Sequence, residues 1–446
     1  IHRRSSESRK VLQATSDPLL LKAVEEGPRQ PRGPPRVAPE RPIANGVVVI
    51  ENDRILAVGG LGQVLVPEGA EVISTEGMTV MPGLWDMQVN LMLLGHGDMN
   101  RWNETYGPLA ERVVMPIAAR QLLQAGVTSA RDTAAPLDAA INVRNRVRDH
   151  LIDGPTLYVS GPVLRKLVPP GTEEWQWAVN GAADAGAKVA QLADAGVDYL
   201  LLAEVDLWTS EELAAAVKEA RAHGLQVHAY ANRPADVERG VVLQFDGFLG
   251  TSMGVTAFPD SVVLALRQRL LDPAARPLSW SPAISAVLNF ESLRGNAEPL
   301  DDPRTTAELP PLVAADIRGS LTDLNHVTGI DMPSVRAGTL CAKLGQLDDA
   351  KLSLLLGSDA GAPGHLHSRA TWQEVDFWVN RCGMPVERAI QAATHDAAMA
   401  VGAGYESGTL APGKYADVIA VRGDLLRHPD LLQFVDIVIK RGRRVR

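Results

Sequence analysis

The sequence predicts an α/β fold: a TIM (β/α)8 barrel joined to a small β-sandwich domain built from both chain termini. Three observations predict it. Short apolar runs alternate with helical stretches over residues 80–402, the rhythm of a parallel α/β fold. β-branched runs bounded by turn residues recur at both ends of the chain. No Gly-x-Gly-x-x-Gly follows the first of the alternating strands, which disfavours a doubly wound open sheet.

In chain order, residues 1–16 read as a polar arm without the apolar core of a signal peptide, so the protein is expected in the cytoplasm unless a leader has been removed. The Pro- and Arg-rich stretch 27–42 reads as a solvated extended loop. A first β-rich piece, within 17–79, contains VVVIE at 47–51, the turn pair Asn52-Asp53 and RILAV at 54–58. Strands at 71–75 and 78–81 follow it. The second piece, 403–446, repeats this grammar around 417–421 and 436–440. Between them, barrel strands are expected at 80–90, 127–132, 156–161, 197–204, 225–232, 244–250, 278–284 and 352–359. Helices such as 210–223, capped by Thr209 or Ser210, intervene. Two connections, 162–180 with Trp175 and Trp177 and 285–333, are too long for plain loops and leave from the rim where barrel active sites sit.

Composition narrows the function. At 446 residues and 46% hydrophobic, the chain can bury a large core and is not a disordered polyelectrolyte. A net charge of -9 argues against nucleic-acid and anionic-membrane partners, and no apolar run reaches the ~18–20 residues of a bilayer span. That leaves a small-molecule substrate, with a homo-oligomer as a compatible assembly. Cys341 and Cys382 are the only cysteines, so neither a disulfide framework nor a Cys-based metal site is expected.

The motifs GVVVIENDRILAVGG (46–60), TVMPGLWDMQVN (79–90), AGVTSARDTAA (125–135), GPTLYVSGP (154–162), AGVDYLLL (195–202), LLLGSDAG (354–361), AIQAATHDAAMAVG (389–402) and SGTLAPGKYADVIAV (407–421) carry a resemblance. In order and spacing the chain resembles the amidohydrolase superfamily, in its imidazolonepropionase-like and dipeptidase-like branch. The resemblance implies the barrel-plus-sandwich architecture and a divalent metal centre that activates water. Its ligands are a His-x-His after the first barrel strand, often a carboxylated Lys on the fourth, one His each on the fifth and sixth, and an Asp on the eighth. At the matching positions stand Gln88 and Asn90, Leu201, Tyr230, and Gly250 or Leu249; only Asp359 of GSDAG agrees. His228 would reach the histidine position only by a slip of two residues. Amide oxygens are weak ligands for zinc-like ions, and Leu and Gly are none. No metal and no other cofactor is therefore expected.

Alternate residues on a barrel strand face inward, so Gln88 and Asn90 share a direction, as do His228, Tyr230 and Asn232. With Asp359 they make a pocket in which a carboxyl deprived of a cation rises in pKa and serves as a general acid. Asp359, Tyr230 and His228 are the candidate catalytic groups. Gln88, Asn90, Asn232, the rim residues His96, Trp102 and Glu204, and the loop residues His365 and His367 are the candidate substrate contacts. The same polar groups would equally satisfy one another in a vestigial core. His365-Leu366-His367 could alternatively form a displaced metal site, and Gly250-Thr251-Ser252-Met253-Gly254 matches a nucleophile elbow. The expected activity is metal-independent acid–base chemistry (cyclisation, isomerisation, elimination or dehydration) on a small, largely apolar or neutral metabolite, in a specialised biosynthetic role. The alternatives are a non-catalytic binding protein and a metallohydrolase with relocated ligands such as Asp359, His228 and His367.

Overall fold

The computed structural model describes residues 9–13, 19–20, 42–250, 256–292, 300–306, 308–322 and 333–446. They divide into two compact units, Ile1–Trp85 with Leu123–Ser129 and Met384–Arg446, and Asp86–Leu122 with Ala130–Gly383. The expected barrel end was residue 402, and the compact unit holding most of the barrel ends at Gly383. Residues 384–402, with helices Val386–Ala392 and His395–Ala400, group with the terminal unit.

The terminal unit holds a four-stranded and a six-stranded sheet built from both ends of the chain. Alternation explains its core. Val48 and Ile50 of Gly46–Glu51 join Leu12, Ile55, Val80, Val418, Ala420, Ile437 and Ile439 in one buried cluster. Val47 and Val49, on the opposite face, join Val11 in another. The polar arm therefore needs correcting. Arg9–Gln13 is a strand, antiparallel to Gly46–Glu51 and parallel to Glu71–Ser74, because Val11 and Leu12 supply two apolar side chains that become fully buried. The Asn52-Asp53 turn is present, with Asn52 at a φ of 55°.

The barrel strands are Leu84–Val89, Val127–Asp132, Thr156–Val159, Tyr199–Leu202, Gln226–Tyr230, Gly247–Leu249, Ser279–Ser281 and Ser353–Leu354. The first through third form one sheet and the fourth through eighth lie in another. Asp198 N–H donating to the Val159 carbonyl at 2.8 Å and a parallel bridge between Val89 and Ala360 join the two sheets into a closed ring.

The expected strand 80–90 is two elements. Met78–Pro82 pairs with Val418–Arg422 in the terminal sheet, and Leu84–Val89 opens the barrel. Gly83 separates them, and a Cβ there would lie 2.2 Å from Thr128 Cγ2, so only glycine fits. The connection 162–180 contains strands Val163–Arg165 and Gln176–Ala178, the former continuing the third strand beside the fourth. The connection after the seventh strand contains helices Ser285–Ser292 and Pro311–Ser320. Helix Ser210–Ala222 starts from a Thr209–Glu212 capping box.

The cysteine reading is also corrected. Cys341, in helix Pro333–Asp349, is disulfide-bonded to Cys382, with Cα atoms 4.9 Å apart. A sequence separation of 41 gave no spacing cue; the fold supplies the proximity. Among the described residues no helix is long and apolar enough to cross a membrane.

Candidate active site

The site is built around Asp359, just beyond the eighth strand. Its backbone sits in the left-handed region at a φ of 59°, which L-residues other than Asn and Asp seldom visit, and its N–H donates to the Gln88 carbonyl at 2.7 Å. Gln88 Nε2 donates to Asp359 Oδ1 at 3.1 Å, and Asn90 Nδ2 donates to the same oxygen at 2.9 Å. Burial pushes the carboxyl above its ordinary pKa, and the two amide donors pull partly back. Both donors converge on Oδ1, so Oδ2 is the oxygen left for a proton.

The Asn90 amide is itself oriented. Thr133 Oγ1 donates to Asn90 Oδ1 at 2.8 Å, which turns the NH2 group toward Asp359. Tyr230 lies close enough to Asp359 and Thr133 for both to act on its phenol. Burial and the Asp359 charge raise the Tyr230 pKa, which keeps the phenol a proton-bearing donor. Beside these groups lies an apolar wall. Leu201, Ala203, Leu249, Val163, Tyr199 and Ala134 form one cluster, with Trp175 and Tyr230 packed against it.

His228 does not join the pocket. It lies two residues below Tyr230, on the order of 6–7 Å along the strand. It is 1% exposed there, with Arg131 Nη1 3.3 Å from its Nδ1 and its ring edge-on to Tyr199. Burial, Arg131 and Arg221 hold its pKa well below the ordinary value, so it is neutral. The inward alternation was correct in direction, but the interior is filled in layers and His228 belongs to a buried one.

The rim candidates are also rearranged. His96 is 3% exposed, its Nδ1 accepting the Asp98 N–H at 3.0 Å and its Nε2 3.6 Å from Asp316. Trp102 is buried and donates Nε1–H to the Met92 carbonyl at 2.9 Å. Glu204 pairs with Arg165 and accepts the N–H groups of Lys166 and Leu167, so it clamps the 162–180 connection and is not open to substrate. Asn232 is exposed beyond the strand end, where the inward alternation no longer applies. His365 and His367 are fully buried, and burial lowers each to a pKa of about 3. His365 Nε2 lies 3.3 Å from Ser285 Oγ. His96, Trp102, Glu204, His365 and His367 are packing or clamping groups because neighbouring elements cover them, and the sequence does not display that cover. Ser252 of the elbow motif lies outside the described residues.

As a donor set these residues do not fit the divalent centre that the resemblance implies. Gln88 and Asn90 spend their amides on Asp359, Leu201 and Leu249 belong to the apolar wall, and a guanidinium cation stands against His228. Among the described residues no group of three or more His, Cys, Asp or Glu could hold a metal ion. Sequence reading missed Thr133, Arg131 and Ser281. Alternation along the second strand, through Arg131 and on to Thr133 just past its end at Asp132, and on the seventh, Ser279-Trp280-Ser281, was the signal available.

The sequence profile described as "Amidohydrolase family" matches residues 79–267 and 323–445. No curated protein matches the chain in sequence. Among solved structures it is similar to a putative prolidase from Bifidobacterium longum, with a TM-score of 0.69, 20% identity and coverage of 98% of this chain and 94% of that one. It is similar also to a Xaa-Pro dipeptidase with bound methionine in the active site (TM-score 0.69, 19% identity, 98% and 99% covered). A third is A. niger ochratoxinase (TM-score 0.68, 20% identity, 99% and 96% covered).

Proposed function

Because this chain belongs to the amidohydrolase family, we propose that it is an enzyme of that fold in which Asp359 performs acid–base chemistry on a small, largely apolar and neutral substrate. The observation that carries this reading is the convergence of the Gln88 and Asn90 amides on Asp359 Oδ1. A carboxyl held this way through one oxygen keeps the other for proton exchange, and its raised pKa lets it hold a proton nearer neutrality. Tyr230, whose phenol feels the Asp359 charge, supplies a second proton-bearing group. The wall of Leu201, Leu249 and Trp175 suits an apolar substrate body. The chemistry fits a cyclisation, isomerisation, elimination or dehydration, and no step passes through a metal because the donor set does not fit one.

A second reading is a metal-dependent hydrolase with relocated ligands. It is favoured by the similar structures, whose names are prolidase, dipeptidase, ochratoxinase and molinate hydrolase. Against it, the relocated set would need His228, which sits beside the Arg131 cation.

The test is turnover of a panel of neutral lactams, N-acyl amines and β-hydroxy carbonyl compounds, followed by mass spectrometry. Asp359→Asn preserves size and is expected to lower turnover by ~10²–10⁴-fold, the range of a positioned acid or base. Tyr230→Phe is expected to cost less. A well-folded Asp359→Asn protein with wild-type turnover would remove Asp359 from the mechanism.

A further inference from the structure

Two buried polar atoms, on side chains that border Gly357, have no partner. Gln88, 2% exposed, donates through Nε2 to Asp359, while its Oε1 accepts nothing. Ser281 is fully buried at the end of the seventh strand, and its Oγ is likewise without a partner. Both side chains border one glycine. A Cβ on Gly357 would lie 2.0 Å from Ser281 Oγ and 2.9 Å from Gln88 Cβ. Any other residue at 357 would displace one or both, so the glycine keeps the two groups in place. In native proteins nearly all buried polar side-chain atoms are satisfied, and two unsatisfied ones carried by side chains that border the same glycine mark a place for a ligand group.

We propose that Gln88 and Ser281 are specificity-determining residues: an acceptor, Gln88 Oε1, and a hydroxyl, Ser281 Oγ, that together select a neutral substrate edge carrying an N–H or O–H donor beside an acceptor oxygen. The amide oxygen can only accept, so it requires the donor. The hydroxyl can donate, so it takes the neighbouring oxygen. The second amide atom of Gln88 holds Asp359, so an edge seated here is delivered next to the acid–base carboxyl. A substrate lacking the donor leaves Gln88 Oε1 buried and unpaired. Sites built to hydrogen-bond a group reject its absence far more strongly than hydrophobic pockets reject a change of size. The inference rests on the reading of the Asp359 pocket as the substrate site.

The test uses a matched probe pair, δ-valerolactam and N-methyl-δ-valerolactam, titrated into the full chain by ligand-observed NMR. The wild-type protein is expected to prefer the N–H lactam by at least ~10-fold. Ser281→Ala and Gln88→Leu, each checked for folding by thermal unfolding, should reduce that preference to less than ~3-fold. Equal binding of the two lactams to the wild type, or no binding of either at the solubility limit, would overturn the proposal, as would an unchanged preference in both variants. The wild-type comparison stands even if a variant does not fold. The outcome separates the two readings. Lost turnover in Asp359→Asn without any lactam preference sinks the notch alone. A lactam preference with undiminished turnover in Asp359→Asn sinks the acid–base reading alone.

Discussion

Thr133 decides which way the Asn90 amide faces. Its hydroxyl donates to Asn90 Oδ1, so the NH2 group is left for Asp359. Thr133→Val keeps the shape and removes the donor, freeing the amide to rotate. Turnover is expected to fall about tenfold with KM little changed, equivalent to ~1.4 kcal/mol. A KM increase at constant turnover would instead place Thr133 in substrate binding. His365 offers a pH test. Its pKa falls from an ordinary 6.5 to about 3 in the fold, so the unfolded chain binds a proton that the folded one does not. Its contribution to stability is present above pH 6.5 and is lost as pH falls from there toward 3. His365→Gln should flatten the stability–pH slope between pH 4 and 6 by up to ~1.4 kcal/mol per unit, read by urea unfolding. An identical slope in the variant would show that His365 is charged in the folded state. Asp359 and the Gln88/Asn90 pair were legible because strand alternation and the GSDAG string, where the family resemblance puts an Asp, place them together. His96, Glu204, His365 and His367 were misread as pocket groups because burial depends on which distant segment covers a residue, and a linear pattern of polar residues does not contain that information.

The strands were legible as elements, but their ends were not. Each expected barrel strand contains an observed one, yet the apolar run begins before the first ladder bond, as in Val197 and Leu225, which are buried ahead of their strands. Burial, not pairing, keeps such flanking residues apolar. The connection after the seventh strand was recognised as too long for a loop, and its helix Pro311–Ser320 shows one reason. Asp316 of that helix pairs with Arg101, accepts the Tyr106 hydroxyl at 3.0 Å and faces His96, while Ser320 Oγ accepts the Gly97 N–H at 2.8 Å. One carboxylate thus fastens the insertion to helix Met99–Tyr106, which follows the first strand. Asp316→Ala is expected to remove about 1.5 kcal/mol of local stability. Amide exchange across 311–320 should then run roughly tenfold faster with little change elsewhere. Unchanged exchange there would show that apolar packing, through Ile317, holds the helix by itself.

At the scale of the molecule, the alternation of strands and helices fixed the barrel, and the paired terminal β-segments fixed a second unit assembled from both ends. The disulfide was illegible because two cysteines at a separation of 41 carry no pattern; only the placement of helix Pro333–Asp349 brings them together. Cross-linking a loop of that length restricts the unfolded chain. The Cys341→Ser/Cys382→Ser protein is expected to lose ~2–4 kcal/mol, seen as a lower urea midpoint at unchanged slope. An unchanged midpoint would show that the bond contributes nothing to stability. Everything said of the pocket depends on Asp359 working with amides in place of a metal. The most direct measurement is the metal content of the purified chain by inductively coupled plasma mass spectrometry, after incubation with Zn²⁺ and Mn²⁺ and dialysis against a mild chelator. The account predicts well under one ion per chain, because Gln88, Asn90, Leu201 and Tyr230 cannot complete a centre with Asp359. One or two equivalents retained per chain, and lost in Asp359→Asn, would contradict it and establish the metal-dependent hydrolase instead.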